Sequence, residues 1–360
     1  MVVQVDLGAR SYSIVVERGG LAGIGARLKG LGVGSRAALV SAPAIIGLYG
    51  KTVTESLEKS GFVVTTIEVP DGEAAKTLTV AERVWNALLE AGLERTSTVL
   101  ALGGGAVGDV AGFAAATYMR GVNFVQLPTT VLAQVDASIG GKTAIDHPRA
   151  KNLIGAFYQP RLVLADPSTL LTLPPREFRS GLAEIVKHGI VLDAAYFDDV
   201  ARSAGSLLDR DPEALERVIG GSCRLKARVV ERDEHEAELR AVLNYGHTIG
   251  HALEAATEYE RWTHGEAVSL GIVAEARLAG RLRLADAATV ERQERLLAAV
   301  GLPTAAGAID VDAVLAAMRR DKKSRDGRVP FVLAPTIGTF KVVYDAPPAE
   351  VRAALASLAG

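Results

Sequence analysis

The stretch LNYGHTIGHALE, residues 243–254, contains two of the chain's six histidines. His247 and His251 are four residues apart, a spacing that places both imidazoles on one side of an α-helix. Such a pair can chelate zinc, as in helices of the pattern H-E-x-x-H. Here the sequence is H-T-I-G-H, without the glutamate that serves as general base in metalloproteases. The spacing therefore indicates a metal site of another kind.

Further metal ligands must lie outside this helix, because a catalytic zinc usually has three protein ligands and one open position. Two candidates are Glu184 in SGLAEIVKHG, on an apolar helix face, and His264 in RWTHGEAV, where the next helix begins. Each also has a structural interpretation. Glu184 could form a helix ion pair with Lys187 or His188, and His264 could hydrogen-bond to backbone at a helix N-terminus. The residues alone leave both interpretations open.

A glycine-rich loop follows a buried strand in TVLALGGGAVGDVAGF, with Gly103, Gly105 and Gly108 in the pattern G-x-G-x-x-G. Glycines let the backbone approach a pyrophosphate, and the following helix N-terminus offers free N–H groups. A standard dinucleotide site would have an acidic residue after the next strand, but that strand ends in LPTT. Asp71 and Glu73, after an earlier strand, are acidic candidates. A tight strand–helix turn that needs small residues is the competing interpretation.

A group of polar residues lies in DASIGGKTAIDHPRAKNLIGAF, where Lys142, Lys151 and Asn152 stand among glycines and other small residues. Glycines beside a lysine let its ammonium reach a phosphate or a carboxylate without steric hindrance. The segment follows LPTT, on the side where an α/β sheet binds its ligand. A solvated loop with ordinary surface lysines explains the same residues.

The composition is that of a globular protein, with 360 residues and a net charge of −2. This balance argues against a general surface for nucleic acid or anionic membranes. The N-terminus does not resemble a signal peptide, and no uncharged apolar run reaches the ~18 residues that a membrane helix needs. The single cysteine, Cys223, cannot form an intrachain disulfide and fits a reducing compartment. We therefore expect a cytoplasmic protein.

The first half of the chain alternates strands and helices. A hairpin is predicted at VVQVDL and YSIVVE, and apolar strands follow at RAALVSA, FVVTTIEVP, TSTVLALG, VNFVQLP and PRLVLADP. Helical patterns lie between them, the third predicted to begin after Thr77 and to end before Gly92. Buried strands separated by helices predict a mostly parallel sheet with helices packed on it.

The pattern changes at TLPPREF, residues 172–178, after which the sequence is mainly helical. Short strands in VPFVLAPTIGTFKVVY and a helix in PPAEVRAALASLAG are predicted near the end. We therefore expect an α/β nucleotide-binding domain with a mostly parallel sheet in residues 1–173. A mainly α-helical metal- and substrate-binding domain is expected in residues 174–360.

Taken in order, these motifs resemble those of the 3-dehydroquinate synthase family of sugar-phosphate cyclases. The likeness extends from about residue 70 to residue 345 and rests on DGE..K, GGGAVGD, TYMRG, LPTT, D.SIGGK, KN.IG, P.REF..G.AE..KHG, LNYGH.IGH, HGEAV and DKK. It implies a dehydroquinate-synthase-like fold, a catalytic NAD, and one zinc ion for which cobalt can substitute. It also implies a homodimer, because Arg120 in YMRG resembles the family arginine that reaches a neighbouring subunit's substrate phosphate.

The reaction implied by the resemblance converts 3-deoxy-D-arabino-heptulosonate 7-phosphate to 3-dehydroquinate and phosphate, in the shikimate pathway to the aromatic amino acids. NAD transiently oxidises a substrate hydroxyl whose pKa the metal lowers. Phosphate then leaves by β-elimination, NADH returns the hydride, and an intramolecular aldol reaction closes the carbocycle. Such an enzyme is a carbon–oxygen lyase with no net redox change.

The resemblance also assigns residues to roles by their motif positions. The implied zinc ligands are Glu184, His247 and His264. The implied NAD-binding residues are Asp71, Gly72, Glu73, Ala74, Ala75, Lys76, Gly105, Ala106, Val107, Gly108, Asp109, Thr129, Thr130, Lys142, Lys151, Thr169, Leu170, Leu171 and Thr172. The implied substrate-binding and catalytic residues are Arg120, Asp136, Lys142, Asn152, Lys187, Lys226, Arg240, Asn244 and His251. His247 would thus hold the metal, whereas His251 would face the substrate.

Two other activities remain open. Another sugar-phosphate cyclase, a 2-deoxy-scyllo-inosose or 2-epi-5-epi-valiolone synthase, would share the metal and NAD residues. Against it, Lys226, Arg240 and Asn244 are of the dehydroquinate-synthase type, and a cationic pair suits a substrate carboxylate. A metal-dependent polyol dehydrogenase of the same fold would accumulate NADH. Lys322 and Lys323 in RRDKKSRDG are a further anion-binding candidate, with an exposed charge run as the other interpretation.

Overall fold

The computed structural model describes residues 1–237, 239–320 and 329–359. Lys322 and Lys323 lie outside the described residues, so their suggested role in anion binding stays a prediction. Among the described residues, no helix combines the length and the apolar character needed to cross a membrane.

The chain forms two compact units. The first comprises Met1–Leu173 and Lys226–His235, and the second comprises Pro174–Leu225 and Glu236–Gly360. The sequence interpretation assigned residues 226–235 to the second domain, whereas their contacts group them with the first unit. Ion pairs explain this grouping, because this segment pairs with Asp136 and with Arg10 of the first unit.

The first unit contains a seven-stranded sheet and a separate hairpin. Their strands are, in chain order, β1 (Val2–Val5), β2 (Tyr12–Val16), β3 (Arg36–Ser41), β4 (Val63–Glu68), β5 (Thr98–Gly103), β6 (Asn123–Pro128), β7 (Lys142–His147), β8 (Ala150–Phe157) and β9 (Leu162–Ala165). The sheet order is β1-β2-β9-β6-β5-β3-β4. Its β1–β2 pairing is antiparallel and its other five pairings are parallel, which confirms the predicted mostly parallel sheet.

Helices cover both faces of this sheet. They are α1 (Ile24–Gly30), α2 (Pro43–Ile45), α3 (Lys51–Lys59), α4 (Leu78–Glu90) and α5 (Gly105–Thr117). Successive residues of β5 point to opposite faces. Val99 therefore joins the core under α4 and α5, whereas Leu100 joins the core under α1 and α3. Thr77 caps α4 by accepting a hydrogen bond from the Val80 N–H, and Gly92 follows the helix with φ +63°, both as predicted.

The lysine-containing segment forms an antiparallel hairpin of β7 and β8, where the sequence indicated a glycine-rich loop. Lys142 begins β7, and Lys151 and Asn152 lie on β8. The glycine in β8 serves the pairing, because a Cβ at Gly155 would lie 2.2 Å from the Thr143 carbonyl oxygen. Most of β8 is exposed, so the hairpin lacks the apolar alternation by which strands are predicted.

The second unit is mainly helical, as predicted. Its elements are α6 (Pro175–Leu192), α7 (Ala194–Arg202), α8 (Ala204–Leu208), α9 (Pro212–Arg232, whose last turns belong to the first unit), α10 (His247–Ala256), α11 (His264–Arg281), α12 (Ala287–Ala299), α13 (Val311–Arg320), β10 (Phe331–Leu333), β11 (Lys341–Val343) and α14 (Pro348–Ala356). The strands β10 and β11 pair antiparallel. The short helices α7 and α8 were not predicted.

Helices α10 and α11 meet at glycines. A Cβ at Gly271 would lie 1.9 Å from the Gly246 carbonyl oxygen, and a Cβ at Gly250 would lie 3.0 Å from the Ala267 carbonyl oxygen. Gly246 has φ +76°, and its N–H donates to the fully buried carboxylate of Glu275 at 2.8 Å. Backbone contact between the two helices thus fixes the position at which α10 begins.

We predict that Gly271→Ala destabilises the protein by about 2 kcal/mol or more, because the added methyl group overlaps backbone that cannot give way. The matched control is Gly280→Ala on the same helix, where the new Cβ would lie 3.4 Å from Val290. The control should be neutral or stabilising by up to about 1 kcal/mol, since alanine favours helices. Urea unfolding followed by circular dichroism measures both, and equal midpoints would contradict the close approach.

Candidate active site

Three predicted metal ligands converge in the second unit. His247 Nε2 lies 3.4 Å from Glu184 Oε1, and His264 Nε2 lies 3.6 Å from the same oxygen. One ligand atom from each of the three residues lies within 4.8 Å of the other two. The ligands come from α6, α10 and α11, so the set is assembled by helix packing rather than by one motif.

Both imidazoles point the same nitrogen toward Glu184. His247 Nδ1 lies 3.0 Å from the Tyr245 carbonyl oxygen, which can only accept a hydrogen bond. Nδ1 is therefore the donor to this carbonyl, which leaves Nε2, directed at Glu184, as the nitrogen that can bind a metal. His264 Nδ1 likewise lies 3.6 Å from Glu254 Oε1. Two Nε2 atoms and a carboxylate oxygen form the donor set that zinc and cobalt accept.

The site is strongly polarised. Burial alone would raise the pKa of Glu184, but the charges of Lys187 and His264 outweigh burial and hold it well below its ordinary value. Burial would lower the pKa of His264, but Glu184 and Glu254 raise it to about 10. Neither oxygen of the fully buried Glu184 accepts a well-formed hydrogen bond from the described residues, although Lys187 contacts it. These residues fit a divalent cation, because the site attracts positive charge and its carboxylate is undercoordinated.

His251 lies beside this set. Its ring centroid is 5.2 Å from that of His247 and 6.0 Å from that of His264. His251, Glu254 and His264 form a second group of donor atoms within 4.8 Å of one another. Glu254 was not predicted, although it follows His251 by three residues and therefore lies on the same face of α10.

The remaining residues predicted to bind substrate from this unit are Lys187, Arg240 and Asn244. Lys187 is buried and pairs with Glu184 one turn away on α6. Arg240 is also buried and lies on a 3₁₀ helix, Leu239–Asn244, that ends just before the Gly246 turn. Their contact with substrate stays a prediction.

In the first unit, Lys76 is 4% exposed and lies among carboxylates. Its Nζ is 2.8 Å from Asp109 Oδ2, 3.6 Å from Glu73 Oε1 and 4.0 Å from Asp146 Oδ1. Burial raises the pKa of Asp109 to about 6, even though Lys76 lowers it. Burial would lower the pKa of Lys76, but the carboxylates raise it overall.

Two residues of the β7–β8 hairpin contribute to this group. Asn152 accepts a hydrogen bond from Lys76 through Oδ1, and Lys151 Nζ lies 3.6 Å from Glu73 Oε1. Asn152 has φ +54°, and its N–H donates to Asp146 at 2.7 Å. The fold thus gathers predicted NAD and substrate residues around Lys76, together with Asp146, which was not predicted.

The glycine loop leads into α5, whose N-cap is Gly104. A Cβ at Gly104 would lie 3.3 Å from Thr130, and one at Gly105 would lie 3.1 Å from Ala137. The neighbouring Thr129 hydroxyl is buried and has no hydrogen-bond partner among the described residues. Free N–H groups, close backbone packing and an unsatisfied hydroxyl fit the phosphates of a dinucleotide.

The other predicted NAD segments are short turns. Asp71 accepts a hydrogen bond from the Gly72 N–H and begins a 3₁₀ helix, Gly72–Ala75, that contains Glu73, Ala74 and Ala75. A second 3₁₀ helix, Pro167–Thr172, buries Thr169 and Leu170 and leaves Leu171 exposed. The hydroxyl of Tyr49, which was not predicted, donates to the Thr169 carbonyl at 3.0 Å and contacts the Thr172 hydroxyl.

Four predicted substrate residues remain in the first unit, one of which, Lys142, begins β7. Lys226 Nζ lies 2.5 Å from both Oδ1 and the carbonyl oxygen of Asp136. Arg120 is exposed and has φ +65°, and the preceding residue, Met119, has φ +50°. Non-glycine residues in this conformation cost about 1–3 kcal/mol each, and such strain clusters at functional sites.

Comparisons with known proteins extend over both units. The family models of the N-terminal and C-terminal parts of 3-dehydroquinate synthase match residues 66–180 and 181–324. The chain belongs to the 3-dehydroquinate synthase family. The 3-dehydroquinate synthase of Pelobacter propionicus is 49% identical over 342 residues, which are 95% of each chain. That of Pelotomaculum thermopropionicum is 50% identical over 337 residues, 93% of this chain and 91% of that one.

Solved structures confirm the predicted dehydroquinate-synthase-like fold. A 2-epi-5-epi-valiolone synthase from Streptomyces hygroscopicus with NAD+ and Zn2+ bound has a TM-score of 0.88 at 30% identity, covering 97% of this chain and 96% of that one. A 2-deoxy-scyllo-inosose synthase complexed with carbaglucose-6-phosphate, NAD+ and Co2+ has a TM-score of 0.89 at 26% identity, covering 99% of each. A probable glycerol dehydrogenase from Sinorhizobium meliloti shares the fold at 18% identity and a TM-score of 0.68, covering 96% of each.

The geometry predicts different consequences for two histidines of α10. His247→Ala should weaken zinc binding by about 100-fold or more because it removes a ligand, whereas His251→Ala should retain zinc and lose turnover. Metal content after dialysis, measured by mass spectrometry, separates them. His147→Ala, in the first unit, is the control and should retain metal. Equal zinc loss in the His247 and His251 variants would show that both residues are ligands.

Proposed function

We propose that the chain is a 3-dehydroquinate synthase, converting 3-deoxy-D-arabino-heptulosonate 7-phosphate to 3-dehydroquinate and phosphate with catalytic NAD and one zinc or cobalt ion. The observation that carries this proposal is the convergence of Glu184, His247 and His264, with both Nε2 atoms directed at one carboxylate oxygen. The chain that contains these three residues is 49% identical to a 3-dehydroquinate synthase over 95% of its length.

The cofactors divide between the units. Glu184, His247 and His264 would hold the metal. NAD would be held by residues of the first unit. These are the turn of residues 71–76, the N-terminus of α5, Thr129 and Thr130, Lys142 and Lys151 of the β7–β8 hairpin, and the turn of residues 169–172. When bound, the metal lowers the pKa of a substrate hydroxyl and NAD accepts its hydride reversibly. Residues 1–173 would thus be the NAD-binding domain, and residues 174–360 the domain that binds metal and substrate.

The substrate is anionic at its phosphate and its carboxylate, so charged side chains would orient it. Lys142, Asn152, Lys226 and Asp136 are the candidates in the first unit, and Lys187, Arg240 and Asn244 in the second. Buried cations such as Lys187 and Arg240 bind an anion strongly because little water screens them. His251, half-buried beside His247, would move a proton at the phosphate or at an oxyanion.

A second cyclase activity, that of a 2-epi-5-epi-valiolone or 2-deoxy-scyllo-inosose synthase, is supported by the similarity of those structures to this fold. Their identities, 30% and 26%, are lower than the 49–50% of the 3-dehydroquinate synthases. The cations Lys226 and Arg240 also suit a substrate with a carboxylate. We therefore favour 3-dehydroquinate synthase.

The proposal predicts phosphate release from the heptulosonate phosphate, with NADH staying at the level of a trace intermediate. Activity should fall to background with a chelator and return with Zn2+ or Co2+. A hexose 6-phosphate without a carboxylate is the matched control and should release at most about 1% as much phosphate per unit time. Accumulation of NADH would indicate a dehydrogenase, and preferential turnover of the control would indicate another cyclase.

We also propose that the enzyme is a cytoplasmic homodimer in which Arg120 reaches the substrate of the partner. Its exposure and strained backbone support an outward-directed role.

Arg120→Ala and His247→Ala should each be nearly inactive alone. In randomly mixed dimers, half the molecules are heterodimers with one complete site, so activity should return to about a quarter of wild type. Mixing without recovery of activity would exclude a shared site.

A further inference from the structure

His264 lies between two carboxylates of the second unit. Its Nε2 is 3.6 Å from Glu184 Oε1, and its Nδ1 is 3.6 Å from Glu254 Oε1. Only the first of these acids belongs to the predicted metal set. The second is 12% exposed at its side chain, in a position where a charged residue needs a partner.

The backbone of His264 is fixed independently of Glu254. Thr263 and Glu266 form a capping box at the start of α11, and Arg176 holds Glu266 through two hydrogen bonds of 2.9 and 2.7 Å. The Gly265 N–H also donates to Ser180 Oγ at 3.0 Å. These contacts place the Cα of His264 but do not involve its ring, whose orientation is set by the side chains around it.

Glu254 is placed to be one of these side chains. It follows His247 by seven residues, two turns along the same face of α10, so one helix presents a ligand and an acceptor together. The glycine contacts between α10 and α11 hold this face against the start of α11. At the other histidine, the Tyr245 carbonyl oxygen lies 3.0 Å from His247 Nδ1, as Glu254 lies beside His264 Nδ1. Each histidine of the metal set thus has an oxygen behind it.

We propose that Glu254 is a positioning residue of the metal centre, accepting the Nδ1 proton of His264 and keeping its Nε2 directed at the metal. Carboxylates behind ligating histidines fix the tautomer and the ring, and their loss typically costs about 10–100-fold in metal affinity or activity. This inference rests on the proposed metal-dependent function, but it concerns binding of the ion and needs no particular substrate.

The alternative is that Glu254 is itself a ligand, with His251 and His264 around a second ion. His264 would then have to bind that ion through Nδ1 and the first ion through Nε2, which requires an imidazole without a proton on either nitrogen. The proton-acceptor role needs no such state. The two roles differ in the number of ions bound per chain.

The test uses full-length protein stripped with a chelator and titrated with Co2+ or Zn2+ against a chromophoric competitor. Wild type should bind one ion per chain. Glu254→Ala should bind one ion about 10–100-fold more weakly, and Glu254→Gln, which keeps an oxygen acceptor without the charge, should lie between. The visible spectrum of the saturated Co2+ protein should change in Glu254→Ala, because the ring of His264 is no longer held. Glu258→Gln, at an exposed acid in the turn that follows α10, is the matched control and should have the affinity and spectrum of wild type.

Wild-type affinity and spectrum in Glu254→Ala would overturn the proposal, as would two ions in wild type and one in the variant. Should the alanine variant not fold, the isosteric glutamine variant decides: unchanged affinity and spectrum would overturn the proposal, and a weaker site with an altered spectrum would support it. Failure of wild type to turn over the heptulosonate phosphate would overturn the proposed function, yet metal affinity would still report on Glu254.

Discussion

The buried negative charge of Glu184 is the constraint on which the second unit's site depends. Removing a carboxylate from water costs several kcal/mol, a cost that only nearby positive charge can offset. The fold supplies it from the next turn of α6 through Lys187, and from α11 through His264. The helices must therefore meet at this point with little tolerance. The same charge makes the place suitable for a divalent ion.

The first unit shows the opposite arrangement. There the buried group is a cation, Lys76, with Asp109, Glu73 and Asp146 around it. Burial raises the pKa of Asp109 to about 6, Lys76 opposes this rise, and the neighbouring acids Glu73 and Asp146 add a smaller increase. Such a cluster offers both donors and acceptors, as the hydroxyl groups and phosphates of a nucleotide require.

Much of this could be predicted from the sequence, and the exceptions have physical causes. The parallel sheet was predictable because its central strands β5, β6 and β9 are apolar and buried, whereas β8 is exposed and carries no periodic signal. The residues predicted to bind the metal were chosen from their motifs, and the structure brings their ligand atoms together. The grouping of residues 226–235 with the first unit could not be predicted. The helical periodicity continues through α9 and does not indicate which unit a given turn packs against. The sequence shows that Glu254 lies on the same face of α10 as His251. Only the structure shows that it lies beside His264, and this contact indicates its role.

The glycine contact between α10 and α11 has a consequence for how the enzyme can vary. Next to His247, the backbone of Gly246 lies against Gly271 of α11, so a close backbone contact helps to set where the two helices meet. Apolar residues that do not take part in this contact can therefore be exchanged during evolution or design while the contact itself is kept. Stability and metal chemistry are in this sense separately adjustable, and a library that keeps these glycines should retain metal binding across a wide range of melting temperatures.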